Sequence, residues 1–156
     1  MDNVNKTLRA LGVQQTKLQR RMLNTAASGR GEENLSTPAA AARIMEILYR
    51  GEFSNRQICE EILEILKKPK SGGINSGLPV DIPVAFKPGG IAGVATEWAI
   101  VYLKERPYVV VVMENYAIGD EAVVAMKEIS RTLYDYFWRL GNATQHGTYV
   151  DPALIK

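Results

Sequence analysis

The chain has 156 residues, 46% of them hydrophobic, with 19 Lys+Arg against 17 Asp+Glu and a net charge of +2. A chain of this length and balance fits one domain with a real core, burying roughly two-thirds of its unfolded surface, and excludes disorder as the main state. Near-neutral charge argues against nucleic acid as a partner, and the apolar run Tyr108 to Met113, which no other exceeds, is far short of the ~18 residues a membrane span needs.

Asp2 or Asn3 is placed to cap a first helix, with Val4, Leu8 and Leu11 at helical spacing and Gly12 as the stop. Thr16 to Asn34 is polar, basic and glycine-containing, and reads as a long functional loop. Ser36-Thr37-Pro38 opens a second helix, with Ala41, Ile44, Met45, Leu48 and Tyr49 as its apolar face and Gly51 at its end. Ser54 and Gln57 form a capping box for a third, striped by Ile58, Ile62, Ile65 and Leu66 and closed before Pro69. Composition then shifts to a Gly/Ser/Pro-rich loop, Ser71 to Pro79. Strands are expected at Val84–Lys87, Gly93–Leu103 and Tyr108–Asn115, the last two joined as an antiparallel hairpin. Val109 to Val112 has no polar alternation, so both sheet faces there should be covered. Asp120 to Leu140 is helical again, with Val123, Met126, Ile129, Leu133, Tyr136 and Phe137 on one side.

The catalytic inventory is short. None of Ser28, Ser36, Ser54, Ser71, Ser76 and Ser130 is followed three residues on by lysine, and no Gly-x-Ser-x-Gly elbow exists. Cys59, the sole cysteine, excludes an internal disulfide or a cysteine zinc site and reads as a buried structural thiol. His146, the sole histidine, excludes a multi-histidine metal centre and reads as a surface residue. No metal, no cofactor and no signal peptide is expected, the last because no basic-then-apolar segment opens the sequence. The informative stretch is Phe86-Lys87-Pro88-Gly89-Gly90. Glycines let a ligand approach the backbone and the lysine supplies a cation, which suits a carboxylate or oxyanion at a strand edge. The same residues also suit a plain turn.

The stretch Val84 to Val94, followed by Ala99-Ile100-Val101-Tyr102-Leu103 and Arg106-Pro107-Tyr108-Val109, resembles the C-terminal part of the class A serine β-lactamase and penicillin-binding protein superfamily. There a Lys-Thr-Gly strand leads into a hairpin of this shape. Glu33-Asn34-Leu35-Ser36-Thr37-Pro38 with the helix after it is similar to the segment following the family's Ω-loop, and Met1-Asp2-Asn3 falls at its Ser-Asp-Asn element. The resemblance runs from Asp2 to about Leu140. It implies a partial β-lactamase-like α+β fold, with helices packed with a three-stranded antiparallel sheet covered by a C-terminal helix. Residues 1–70 would be a helical part with an Ω-loop-like segment at about 13–35, residues 71–142 the sheet and last helix, and 143–156 an irregular tail, all in one compact unit.

By that resemblance Lys87 matches the lysine that neutralises the substrate carboxylate, Gly89 the motif glycine, and Gly90 the residue whose N–H forms half of the oxyanion hole. Asn3 matches the asparagine that contacts the substrate amide. Pro88 replaces a threonine, and Met1 stands where a serine shuttles a proton. Arg20 falls at the position of the glutamate that activates the deacylating water, and an arginine is no base. The family's Ser-x-x-Lys nucleophile has no counterpart here, so the catalytic set is incomplete and the match implies a C-terminal portion.

Family members are usually exported, but the sequence assigns no compartment. In the family sheet the strands that have no counterpart here lie beside Tyr108–Asn115. That edge is therefore expected to recruit a second copy of the chain or a complementing N-terminal segment. Three readings stand: a β-lactamase-like hydrolase portion inert alone, a non-catalytic domain of the same fold that binds a peptide or cell-wall fragment near Lys87, and an interaction module in which the lysine-glycine stretch is only a turn; an anionic small molecule is the ligand class expected at Lys87.

Overall fold

The computed structural model describes residues 1–144 and 147–148, so His146 lies outside the described residues. The chain divides into two units, Met1–Leu63 and a second beginning at Glu64.

The first unit opens with helix α1 (Asp2–Ala10), whose N-cap is Met1 with no side-chain cap bond. Neither Asp2 nor Asn3 caps it. Gly12 at φ +75° makes the turn that ends the segment, a conformation glycine adopts without a Cβ penalty. The following loop is closed at its neck. Lys17 and Leu35 exchange backbone hydrogen bonds of 2.8 and 2.9 Å, and the Thr16 and Ser36 hydroxyls meet at 2.8 Å. Inside it a short helix, α2 (Thr25–Gly29), is capped by Asn24, whose side chain accepts from the Ala27 N–H.

Helix α3 (Pro38–Arg50) starts as its sequence requires. Pro38 occupies the first turn, Thr37 Oγ1 accepts from the Ala40 N–H at 3.2 Å, and Gly51 closes it in the left-handed region. Ala40, Ala41, Met45 and Ile47 are buried, whereas Tyr49, expected inside, is exposed. Helix α4 (Arg56–Lys67) is capped by Asn55, whose Oδ1 accepts from the Ile58 N–H at 2.9 Å, and not by Ser54. Ser54 instead sits at φ +56° in the connecting turn. The buried positions of α4 are Cys59 and Leu63, so Ile58 and Ile65 of the expected stripe are exposed. Cys59 packs as a structural thiol, its Sγ 3.0 Å from the Phe53 carbonyl oxygen.

The second unit is built on a sheet of β1 (Val84–Ile91), β2 (Val94–Val101) and β3 (Tyr108–Asn115), in the order β1-β2-β3, all antiparallel. β1 runs four residues further than expected, and Lys87-Pro88-Gly89-Gly90 is strand, paired to Trp98, Glu97, Thr96 and Ala95. The turn falls later, at Ala92-Gly93, where Gly93 takes φ +76°. The reading of the lysine-glycine stretch as a plain turn is therefore corrected. Proline is tolerated there because β1 is an edge strand.

Helix α6 (Gly119–Gly141) covers one face of this sheet. Phe86, Ala99, Val101, Tyr108 and Val110 pack with Ile74 beneath it, and Phe137 stacks on Tyr108 at 4.4 Å between ring centroids. The residues α6 fully buries are Ala122, Met126 and Ser130, one turn apart. Val123, Ile129 and Tyr136, expected on the buried side, are exposed.

The Ser71–Pro79 stretch is not all loop. It contains a four-residue helix, α5 (Gly73–Ser76), pressed against α6. A Cβ on Gly73 would lie 2.6 Å from both Met126 Cβ and the Val123 carbonyl oxygen, so only glycine fits. Beyond α6, β4 (Ala143–Thr144) pairs with β5 (Gly147–Thr148). No helix among the described residues is long and apolar enough to cross a membrane.

Candidate functional site

Lys87, Gly89 and Gly90 are brought together on the outer strand of the sheet. Among the described residues β1 pairs with β2 alone, so alternate residues direct their N–H and C=O groups away from the sheet. The burial pattern of β1 changes along its length. Ala85 and Phe86 are buried, whereas Lys87, Gly89 and Gly90 are exposed. The same strand thus anchors in the core and presents its glycine half to solvent. Lys87 Nζ donates to the Pro88 carbonyl oxygen, and no carboxylate pairs with it among the described residues. A Cβ on Gly90 would lie 3.2 Å from the Val94 carbonyl oxygen, and one on Gly89 would rest on Thr96 Cγ2 at 3.4 Å. The glycines therefore keep both edge and face open beside a fixed cation.

Asn3 belongs to the other unit. It lies in the first turn of α1, accepts at its carbonyl oxygen from the Thr7 hydroxyl, and lines an apolar groove of about 420 Å³ with Val4, Leu8, Leu11, Ile44 and Phe53.

Arg20 is a structural latch. Its guanidinium reaches Glu33 Oε2 from Nη2 at 2.6 Å and from Nε at 2.8 Å. Ser28 donates to the other Glu33 oxygen. The Ser28 hydroxyl, and then the Arg20 guanidinium, hold the Glu33 carboxyl below the usual carboxylate range. Asn34 Oδ1 accepts from the Gln19 and Arg20 N–H groups at 2.9 and 3.0 Å. The Ω-loop-like segment is thus tied across its base.

Residues not singled out in the sequence matter more to the site's shape. Glu97, in the middle strand opposite Pro88, is 6% exposed and accepts from the backbone N–H groups of Gly73 at 2.8 Å and Ile74 at 2.7 Å. It has no cationic partner among the described residues. The turn it holds sits against the Phe86 ring: a Cβ on Gly72 would lie 2.3 Å from Phe86 Cζ. The readable signal was a charged residue inside an otherwise apolar strand, Val-Ala-Thr-Glu-Trp-Ala-Ile-Val. Among the described residues, no cluster of His, Cys, Asp or Glu is arranged to hold a metal ion.

The sequence profile of the "Beta-lactamase enzyme family" matches residues 1–137, and the chain belongs to that family. The fold is similar to that of a β-lactamase from Sphaerobacter thermophilus DSM 20745, with a TM-score of 0.77, 23% identity, and coverage of 88% of this chain and 53% of that one. It is also similar to PBP-A, with a TM-score of 0.75, 18% identity, and coverage of 88% and 51%. A class A β-lactamase representative from Bacteroides cellulosilyticus DSM 14838 gives 0.71, 23%, and coverage of 86% and 53%. A point variant of PBP-A has been solved as an acyl-enzyme complex with penicillin G. No curated protein shows significant similarity to the sequence. The chain spans about half the length of the solved structures it matches.

Proposed function

We propose that these residues form the ligand-gripping part of a β-lactamase-like serine hydrolase, binding an anionic small molecule at Lys87, Gly89 and Gly90 without forming an acyl-enzyme by themselves. The observation that carries this reading is an exposed lysine that, among the described residues, has no carboxylate partner and lies on the unpaired edge of a glycine-bearing strand, in a chain of this family. A cation and open backbone hold a carboxylate, but acylation requires an activated nucleophile. None of the serines has the lysine one helical turn on that would activate it.

A fluorescent penicillin and a chromogenic cephalosporin test the negative half. The polypeptide alone should show no stoichiometric label and no turnover, gaining turnover only when a segment bearing Ser-x-x-Lys is supplied. A covalent adduct on any serine of this chain would overturn the reading. Titration with acetate, followed at the Gly89 and Gly90 amides and repeated in Lys87→Ala, tests the positive half.

The same reading assigns a partner to β3. Its outer edge is unpaired among the described residues, and Val109, Val111, Val112 and Met113 on it are only half-buried. Such an edge pairs with another strand, from a second copy or from a complementing segment. A concentration-independent monomer mass together with fast exchange of the Tyr108–Asn115 amides would count against this.

A further inference from the structure

Resting on the anion-binding reading above, we propose that Trp98, oriented by Thr96, determines specificity beside Lys87, and that the ligand class is a carboxylate carrying an aryl group. Residues directly opposite in an antiparallel pair point to the same face, with Cβ atoms roughly 4.5–5.5 Å apart. Lys87 is opposite Trp98, and Gly89 is opposite Thr96. Trp98 in turn faces Val111 on β3, and Thr96 faces Met113. Two rows therefore cross one face of the sheet: Lys87-Trp98-Val111 and Gly89-Thr96-Met113. In these two rows charge sits only at the β1 end, and the other side chains are apolar apart from the Thr96 hydroxyl and the indole N–H.

The indole is held in place. Trp98 Nε1 donates to Thr96 Oγ1 at 2.7 Å, a bond between side chains two residues apart on the same face. Thr96 and Trp98 are half-buried and Lys87 is exposed, so the row rises from covered to open toward the lysine. Gly89 places no side chain beside Lys87 in the second row, which leaves a lane along the indole. A carboxylate paired with the lysine ammonium would direct a substituent one or two bonds away along that lane. A flat ring there meets the indole in the offset or edge-on geometry that aromatic pairs prefer. An unsubstituted carboxylate such as acetate uses the cation and leaves the indole unused.

Acetate and phenylacetate serve as probes, in a Trp138→Phe background that leaves Trp98 as the sole indole. Binding is read in every variant by titration calorimetry and by the Gly89 and Gly90 amide resonances, and where Trp98 is present also by its fluorescence and indole N–H resonance. Phenylacetate should bind at least about tenfold tighter than acetate, the increment expected of one added aromatic contact with its buried area. Lys87→Ala should weaken both probes. Trp98→Leu should collapse the phenylacetate-to-acetate ratio to within about twofold, while Trp98→Phe, which restores a ring without the N–H, should keep much of it. Thermal melting of each variant separates loss of selectivity from loss of fold. Equal, Lys87-dependent binding of both probes would overturn the aryl assignment and leave the anion site standing. Absence of Lys87-dependent binding by either probe would overturn both. A ratio unchanged in Trp98→Leu would also overturn the role given to Trp98.

Discussion

Replacing Glu97 by alanine tests the clasp that joins the middle strand to the turn before α5. The carboxylate is 6% exposed and is the acceptor for the Gly73 and Ile74 N–H groups. Removal takes the acceptor from both donors, which are themselves buried. Each buried donor left unsatisfied costs about 1–3 kcal/mol, so the variant should lose roughly 4 kcal/mol. For a domain of this size that corresponds to a melting temperature lowered by about 8–16 °C. With a urea slope of about 2 kcal/mol/M, the midpoint should fall by roughly 2 M. Glu97→Gln keeps one acceptor oxygen and should lose about half as much. Circular dichroism melts supply the global number, and amide exchange at Gly73 and Ile74 supplies the local one. If Glu97→Ala melts within about 1 kcal/mol of the parent, with both amides still protected, the carboxylate is not what holds the turn.

Other perturbations probe neighbouring parts of the fold. Gly73→Ala forces a Cβ to 2.6 Å from the Val123 carbonyl oxygen, so α5 and α6 must separate, at about 1–3 kcal/mol in chemical denaturation. Burial, with a smaller contribution from Tyr134, pushes the Tyr108 phenol up to about 12 from an ordinary value near 10. The folded state therefore holds that proton longer than the unfolded chain does. Its contribution to stability is complete below pH ~10 and is lost as pH rises toward 12. Ultraviolet titration should show a late tyrosinate component that Tyr108→Phe removes. Arg20→Glu places a second carboxylate against Glu33. It should speed proteolysis within residues 19–34 while leaving the polypeptide without β-lactam turnover, assayed with a chromogenic cephalosporin.

Local chemistry was most legible where one residue type does one job. Thr37 before Pro38, with Gly51 thirteen residues past it, bounds a helix because a hydroxyl acceptor, a ring-fixed φ and a left-handed glycine each act within a turn of the backbone. Helix faces were less legible. Apolar spacing on α4 pointed to Ile58 and Ile65, yet Cys59 and Leu63 are the buried pair. Several apolar stripes fit the same helix, and only its packing selects one. The extent of β1 was hidden for a similar reason. Pro88 and two glycines have poor strand propensity, but pairing with β2 and an edge location make strand the satisfied state.

The sequence by itself determined the family likeness, the order of the four long helices and three long strands, the absence of a Ser-x-x-Lys pair, and Lys87 beside glycines as the candidate binding residue. Tertiary structure alone decided that Glu97 clasps the Gly73 turn, that Arg20 latches Glu33, and that Trp98 lies across from Lys87. The first set rests on interactions within a few residues, which sequence spacing encodes directly. The second joins positions eleven or more residues apart, and strand register and loop closure, set by the fold as a whole, bring them together.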